Sequence, residues 1–305
     1  MLAIYLLAFY AISISYSYAM SREQQRTFGN LAQYFETAVG HSIPIAFLLG
    51  LYVVTIVKRW WEQFENIAWP DDLMFFVSSF IQNAEDDEAA RVARRTIARY
   101  SVLSAALAWR NISSRVLKRF PTADHLVQAG LMTEAELETY QSTKAPFGRW
   151  FLPLYWIQQI IVTHRRAGFI DASQTSQMLN LLLQYKNKFI RLFVFDWVSI
   201  PLVYTQVCTV ATYGYFGICL ISRQYLEDRE ALQSFSLMQF LFYVGWLKVA
   251  EKMMHPFGEE DDDFELNFLL DRHLYVSLMI VDTLHSAPPP QPTRPSIYIS
   301  CSRRH

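Results

Sequence analysis

The 305-residue sequence predicts an all-α, multi-pass membrane protein with four transmembrane helices and a large helical cytosolic portion. Composition is the first reason, since hydrophobic residues make up 52% of the chain and aromatic residues 15%, with only 10 glycines. The second reason is the presence of four long stretches without a formal charge. The third is that the alternating apolar and polar pattern of half-buried strands is scarce, which favours helices throughout.

The uncharged stretches form two pairs, one within residues 1–60 and one within residues 197–254. They are Met1–Met20, Ser42–Val57, Trp197–Ser222 and Ala231–Leu247, of 20, 16, 26 and 17 residues. A helix needs about 20 mainly apolar residues to cross the hydrocarbon core, so two stretches are long enough and two are close. Lysine, arginine and aromatic side chains at the ends can extend the short pair. The first stretch is alternatively a signal peptide, although it lacks a basic start and an AxA-like cleavage site.

Residues 61–196 form the predicted cytosolic helical region. Most of the positive charge lies there, and the positive-inside tendency places such a segment in the cytoplasm. With four spans, both termini are then cytoplasmic as well. The run from Ala93 to Phe120 predicts one long amphipathic helix, and Thr133 with Glu136 predicts a capping box at the start of a later helix.

Six carboxylates occupy the seven residues from Glu259 to Glu265, in the phrase HPFGEEDDDFE that starts at His255. A solvated charge cluster after a helix is the simplest interpretation. An EF-hand is excluded, because Gly258 precedes the acidic residues and the required spacing of aspartates is absent. A calcium site of another geometry stays open. One turn cannot direct six carboxylates at a single ion, so carbonyl oxygens from elsewhere would have to contribute.

Several other function classes find no support. The sequence has no GxGxxG, Walker A, GxSxG or HExxH motif and its seven histidines are scattered, so we expect no enzyme activity. The net charge of −1 gives no general attraction to nucleic acid. Three cysteines without a CxxC motif exclude a zinc module and suit a reducing compartment. Residues 255–286 hold the acidic loop and a predicted cytosolic helix, and the Pro-rich residues 287–305 are predicted to be disordered.

One apolar helix face is a candidate gate. In IPIAFLLGL, the residues Ile43, Phe47 and Leu51 follow one another at four-residue spacing and share one side of a helix. A packing or lipid-facing stripe is the simplest interpretation. If several copies surround a symmetry axis, the same residues form stacked hydrophobic rings, which can gate a pore by dewetting. Pro44 marks a helix start or a kink beside Ile43.

Long phrases of the sequence carry a resemblance to a known family. They are IPIAFLLGLYVVTIVKRWWEQFENIAWPDD, KRFPTADHLVQAGLMTEAE, DWVSIPLVYTQV, QFLFYVGWLKVAE and PFGEEDDDFELN. Together they resemble the bestrophin family, calcium-activated chloride channels of the plasma membrane that assemble as pentamers. The resemblance extends over nearly the whole chain. It implies a mostly helical subunit, one axial pore with two constrictions and a calcium clasp beside the acidic run.

The resemblance assigns the two constrictions to particular residues. The family's three-ring hydrophobic neck falls on Ile43, Phe47 and Leu51, where Leu51 stands in place of a phenylalanine and keeps the ring apolar. The cytosolic aperture, usually aliphatic in the family, falls near Ser173, where a hydroxyl is expected to weaken discrimination among anions. Chloride is then the permeant ion, and helix N-termini directed at the axis favour anions over cations.

The implied calcium clasp departs from the family pattern. The typical GEDDDDFE reads GEEDDDFE here, so one ligand aspartate becomes Glu260 while Asp263 is retained. A side-chain amide position holds Lys252, and a backbone-carbonyl position holds His255. The family's clasp also uses a backbone carbonyl from a segment before the first span, and this sequence starts at what looks like that span. We therefore expect weaker calcium binding, because oxygen ligands are lost and an ammonium group is near.

Two hypotheses for the function follow. The first is a homopentameric chloride channel subunit in the plasma membrane, gated by cytosolic calcium through the hydrophobic neck. The second is a truncated, non-conducting subunit or scaffold that forms hetero-oligomers with full-length relatives and modulates them. Co-expression with a relative separates the two, since suppression of the relative's current without any current from this chain favours the second.

Overall fold

The computed structural model describes residues 1–42, 44–83, 86–146, 148–224 and 229–285, without the side chains of residues 38–42 and 229–234. Every regular element in these ranges is a helix, which confirms the predicted all-α class. Two predicted features, the neck residue Ile43 and the tail 287–305, lie outside the described residues.

Thirteen α-helices and two short π-helical segments follow one another along the described chain. The α-helices are α1 (Leu2–Ile14), α2 (Arg22–Ser42), α3 (Ile45–Glu65), α4 (Asp71–Phe80), α5 (Asp87–Trp109), α6 (Ser114–Arg119), α7 (Ala123–Gln128), α8 (Glu134–Ser142), α9 (Leu152–Arg166), α10 (Ala172–Trp197), α11 (Leu202–Ser222), α12 (Arg229–Met253) and α13 (Leu266–Leu278). The π-helical segments are Ser15–Ala19, which continues α1, and Met279–Thr283, which continues α13.

The helices group into two compact units. The first consists of Met1–Asn66 and Val194–Phe264, and the second consists of Ile67–Phe193 and the chain from Glu265 onward. Both pairs of uncharged stretches therefore lie in the first unit. The second unit contains most of the basic middle region of the sequence.

The first unit is held together by the packing of α3 against α11 and α12. Leu49, Tyr52 and Ile56 are spaced three and four residues apart, so they share one face of α3, and all three are buried. They form one apolar cluster with Cys208 of α11 and Leu247 of α12. Burial of this face leaves the opposite face of α3, which carries the predicted neck residues, outside the core of the unit.

Helix α1 packs on the same pair of helices through aromatic rings. Tyr5 stacks on Phe240 with 4.3 Å between ring centroids and meets Phe216 edge-on at 6.1 Å. Within the described chain, the segment Leu2–Ala19 is long and apolar enough to cross a membrane, and α10 with α11 meets the same criterion together as a broken span. Helix α3 runs from apolar turns into charged ones, and α12 has charged residues at both ends. The four spans therefore stay a prediction.

The second unit is built around α5. All nine residues of its last turns, from Ser101 to Trp109, are buried, which is the pattern of a helix surrounded by protein on every side. The hydroxyl of Ser101 donates to the carbonyl oxygen of Ile97 at 2.9 Å, which satisfies it without an outside partner. The carbonyl of Ser101 also accepts a bond of 3.0 Å from the Tyr185 hydroxyl, and this bond ties α5 to α10.

The prediction of a single long helix from Ala93 to Phe120 is wrong, because the structure divides this segment into two helices. Helix α5 ends at Trp109, and the shorter α6 starts at Ser114 after a turn. Ser113 has an extended backbone there, with φ −125° and ψ 121°. The intervening sequence contains asparagine, a β-branched isoleucine and serine, which all disfavour a helix interior, so the break has a local cause.

The predicted capping box at the start of α8 is confirmed. The Thr133 side chain accepts a hydrogen bond from the Glu136 backbone, and the Glu136 carboxylate accepts one of 2.8 Å from the Thr133 backbone. The same carboxylate binds the Arg99 guanidinium through two contacts of 2.6 Å and accepts a bond from the Tyr100 hydroxyl. Glu136 thereby joins α8 to α5. Partial burial acts to raise the pKa of Glu136, but the bonds from Arg99, Tyr100 and the Thr133 backbone outweigh it and lower that pKa to about 2.

Candidate conduction path and acidic loop

The predicted neck residues within the described chain lie on the exposed face of α3. Phe47 is 66% exposed and Leu51 is 50% exposed, whereas their neighbours Ile45 and Leu49 are buried on the other face. The N-terminal turn of α3 begins at Pro44, whose carbonyl accepts a bond of 3.0 Å from the Phe47 backbone. Phe47 therefore sits at the positive end of the helix dipole.

The exposed apolar face continues along α3 beyond the predicted neck. Val54 is 66% exposed and follows Leu51 at three-residue spacing, and the exposed Lys58 follows Val54 after four residues. The face thus runs from an aromatic ring through aliphatic side chains to a cation. An apolar surface of this length on a single subunit is expected to face lipid, to pack against other subunits, or to line the dewetted section of a pore.

The acidic loop is anchored on the C-terminal part of the same helix. The Phe264 ring lies 5.0 Å from the Trp60 ring and 5.3 Å from the Phe64 ring, and Phe257 meets it edge-on at 5.6 Å. Phe264 directly follows Asp263, so a movement of the loop carboxylate acts on an aromatic cluster of α3. This contact gives the loop a physical connection to the helix that bears Phe47.

The loop is folded by its own backbone bonds. The Asp263 carboxylate accepts a bond of 2.8 Å from the Glu260 backbone, and the Phe264 backbone donates to the carbonyl of Pro256 at 2.8 Å. Gly258 leaves room for this arrangement, since a Cβ atom there would stand 2.8 Å from Asp263 Oδ2 and 3.6 Å from the carbonyl oxygen of His255. The Asp263 carboxylate and the His255 carbonyl therefore face the same small space beside Gly258.

Lys252 and Glu260 form an ion pair across this loop. The Lys252 ammonium group donates to Glu260 Oε2, and both side chains are more than half exposed. The His255 side chain is also exposed, so its carbonyl oxygen is the group of that residue nearest the loop interior. Three of the four predicted clasp residues thus lie in the acidic loop, and Lys252, in the last turn of α12, pairs with Glu260.

The described part of the acidic loop offers a calcium ion an incomplete set of ligands. Calcium takes six to eight oxygen ligands, and the Asp263 carboxylate and the His255 carbonyl near Gly258 would supply only part of such a set. Across the described residues, no three histidine, cysteine, aspartate or glutamate side chains are grouped so that they could hold a metal ion. The Lys252 ammonium group also competes for the Glu260 carboxylate. The calcium site expected from the sequence, and its weakness, both stay predictions.

Ser173, the predicted cytosolic aperture residue, lies in the first turn of α10 and is exposed. Asp171 and Gln174 start this helix by binding each other's backbone, with bonds of 2.7 and 2.9 Å. The Gln177 amide donates to the Ser173 hydroxyl at 3.3 Å, one turn further along. The start of α10 therefore presents hydroxyl and amide groups rather than an aliphatic side chain.

Comparison with known proteins settles the family. The family model described as "Bestrophin, RFP-TM, chloride channel" matches residues 1–283. The chain belongs to the bestrophin family. Bestrophin homolog 14 of Caenorhabditis elegans is 44% identical over 286 residues, which are 91% of this chain and 69% of that protein. Human bestrophin-1 is 44% identical over 292 residues, so this bestrophin chain spans about half the length of the human relative, 49%.

Solved structures support the bestrophin fold. A crystal structure of a bacterial bestrophin homolog from Klebsiella pneumoniae has a TM-score of 0.68 at 19% identity, with 92% of this chain and 97% of that chain covered. A second structure from the same organism gives 0.67, with 90% and 95% covered. The resemblance stated from the sequence is confirmed. Bestrophins are membrane channels rather than enzymes, in agreement with the coarse class predicted here.

The aromatic anchor of the acidic loop was not predicted from the sequence. Trp60 and Phe64 are spaced four residues apart in KRWWEQF, which places both rings on one face of α3. That spacing is the available signal. Their partner Phe264 lies about two hundred residues away in the chain, and no local pattern links the two segments.

Proposed function

We propose that this bestrophin is a chloride channel subunit that assembles as a homopentamer in the plasma membrane, with both termini in the cytoplasm. The neck formed by Ile43, Phe47 and Leu51 is the proposed gate, and Ser173 is the proposed aperture residue. The single observation that carries the proposal is the exposed apolar face of α3 in a chain of this family. Four spans, in the pairs 1–60 and 197–254, belong to the same proposal.

The physical basis of the gate is dewetting. When Phe47 and Leu51 from several subunits surround an axis, each level becomes an apolar ring that a hydrated ion cannot cross until the ring widens. Anion preference has a separate source. The N-terminal turn of α3 contains Phe47. The partial positive charge of several such helix ends around the axis favours chloride over cations.

Regulation is proposed to act through the acidic loop. The contact of Phe264 with Trp60 and Phe64 supports this role, because it places the loop against the gating helix. Cytosolic calcium is the candidate effector, with Glu260, Asp263 and the His255 carbonyl as the groups that would bind it. The small set of oxygens and the Lys252 ammonium group lead us to expect a weak calcium dependence.

Chloride conduction is tested by whole-cell recording of the chain expressed alone. We expect a current whose reversal potential follows the chloride equilibrium potential when bath chloride is replaced by a large impermeant anion. A reversal potential that ignores chloride would overturn the proposal. Absence of current, together with suppression of a co-expressed relative's current, would instead favour the non-conducting subunit that forms hetero-oligomers.

A further inference from the structure

Six exposed residues of α10 lie on one line along the helix. They are Ser173, Gln177, Asn180, Gln184, Asn187 and Arg191, which we name the amide stripe. Their spacing alternates between four and three residues, so all six fall within about 40° of one line parallel to the helix axis. The line extends over about 27 Å.

The amide stripe lies opposite the face that packs into the second unit. Met178, Leu182 and Phe189 are buried, and at 3.6 residues per turn they point to the other side of the helix. The stripe residues are therefore not there to fill the core. In chain order, the stripe carries one hydroxyl, four neutral amides and one guanidinium, and this regular order needs an explanation other than core packing.

The absence of negative charge on the stripe distinguishes it from an ordinary solvated helix face. Water-facing surfaces usually intersperse acidic and basic side chains. The exposed side of α5 in the same unit does so in the ordinary way, with Asp87, Glu88 and Arg95 exposed. No carboxylate occurs among the six stripe positions, all of which lie within the described residues.

Neutral amides are suited to anions in transit. An amide NH2 group offers two donors without a full charge, so it binds chloride weakly, and several weak sites in series permit an ion both to enter and to leave. One of these donors is engaged within the stripe itself, since the Gln177 amide donates to the Ser173 hydroxyl at 3.3 Å. Arg191 at the far end supplies a single permanent positive charge that raises the local anion concentration.

We propose that the amide stripe of α10 lines the cytosolic part of the conduction path and provides a series of weak sites for small monovalent anions. This inference rests on the proposed anion channel function and assigns residues beyond the two constrictions. Ser173 is its first member, so the aperture is the entrance to a lined passage rather than an isolated ring. Because the sites are neutral, selectivity against cations depends on the absence of carboxylates along the stripe.

The test replaces a neutral amide of the stripe by a carboxylate of nearly the same shape. In Asn180→Asp and Asn187→Asp, each subunit contributes one carboxylate to the path, and we expect single-channel chloride conductance to fall about threefold or more at low salt. The reduction should shrink at high salt because of screening. Asn180→Lys should conduct at least as well as the wild-type chain. Gln141→Glu, at an exposed amide of α8 outside the stripe, is the matched control and should change neither quantity.

The outcomes separate the two proposals. Equal conductance in wild type, Asn180→Asp and Asn187→Asp would overturn the amide stripe and leave the channel function intact. Equal losses in Asn180→Asp and Asn180→Lys would also overturn it, since a structural disturbance does not depend on the sign of the charge. A wild-type chain without chloride-dependent current would overturn the proposed function and the stripe with it.

Discussion

At the scale of single residues, Lys252 places a positive charge against the Glu260 carboxylate of the acidic loop. The ammonium group contacts Glu260, while the neighbouring Asp263 carboxylate is held by the Glu260 backbone. Both groups of the ion pair are largely exposed, so the pair adds little to folding stability. Its larger effect is electrostatic, because it neutralises part of the loop in the absence of any bound ion.

Replacing Lys252 by glutamine should increase the calcium sensitivity of the loop. Glutamine keeps a side chain of similar length but removes the repulsion between an ammonium group and a divalent cation. We expect the calcium concentration that half-activates the current in excised patches to fall about tenfold. Calcium should also raise the melting temperature of the purified Lys252→Gln protein more than that of the wild type.

Lys248→Gln is the matched control for this experiment. Lys248 lies one turn earlier on α12 and pairs at 2.5 Å with Glu251, outside the acidic loop. Its replacement should leave the calcium dependence unchanged. If Lys252→Gln and Lys248→Gln respond to calcium in the same way, the ammonium group on Glu260 has no influence on cation binding.

At the scale of elements, α3 combines three faces with different roles. Leu49, Tyr52 and Ile56 bury one face in the first unit, and Phe47 with Leu51 exposes another. The C-terminal turns hold the acidic loop through Trp60 and Phe64. In the proposed mechanism, α3 carries the gate at one end and the loop at the other, so a displacement of the loop would reach the gate through this helix.

Shortening the exposed side chains of Phe47 and Leu51 should open the channel without unfolding the protein. In Phe47→Ala with Leu51→Ala, the apolar rings widen, and we expect a basal current several times that of the wild type with weakened dependence on calcium. Both side chains are largely exposed in the subunit, so folding should be affected only slightly. Val57→Ala, which shortens an exposed side chain off this line, is the control. A double variant with wild-type basal current would remove the neck from the gating mechanism.

Local patterns in the sequence predicted what depends on neighbours along the chain. The capping box of Thr133 and Glu136 was predictable because its partners are three residues apart. The four-residue spacing of Phe47 and Leu51 likewise predicted that they share a face of α3. Which face is buried depends on packing against α11 and α12, which periodicity does not specify for a helix that is apolar on most sides.

Contacts between distant segments were beyond such reasoning. The turn between α5 and α6 interrupts a pattern that looked continuous, because amphipathic spacing is insensitive to a single loop of four residues. The ion pair of Lys252 with Glu260 requires the particular path of the loop around Gly258. The packing of Phe264 on Trp60 joins two segments that are about two hundred residues apart in the chain.

At the scale of the whole molecule, the second unit contains two ionisable groups that make the stability of the fold depend on pH. His273 of α13 is fully buried beside the Trp69 and Trp109 rings, at 5.0 and 5.8 Å between centroids. Burial lowers the pKa of His273 to about 4, with a further lowering by the adjacent Arg272 charge that outweighs the hydrogen bond with the Ala68 backbone. Glu136, with its pKa lowered to about 2, is the second group.

The two groups predict a loss of stability in two stages as the pH falls. An unfolded histidine takes up a proton near pH 6.5, whereas buried His273 resists it, so its contribution is complete above pH 6.5 and is lost as the pH falls towards 4. That contribution amounts to about 3 kcal/mol at most. The depressed pKa of Glu136 stabilises the fold above pH 4.5, and this second contribution is lost between pH 4.5 and 2.

Thermal unfolding of the full chain in detergent distinguishes these groups by their pH ranges. His273→Gln removes the titrating ring, so we expect its melting temperature to vary less than that of the wild type between pH 6.5 and 4. Glu136→Gln should melt lower at pH 7, because Arg99 loses its carboxylate, and should lose less stability below pH 4.5. His125→Gln, the same substitution at an only partly buried ring on α7, is the control variant. A wild-type melting temperature that is constant from pH 7 to 4 would show that His273 is protonated in the folded chain without cost, which its position between two tryptophans makes physically difficult.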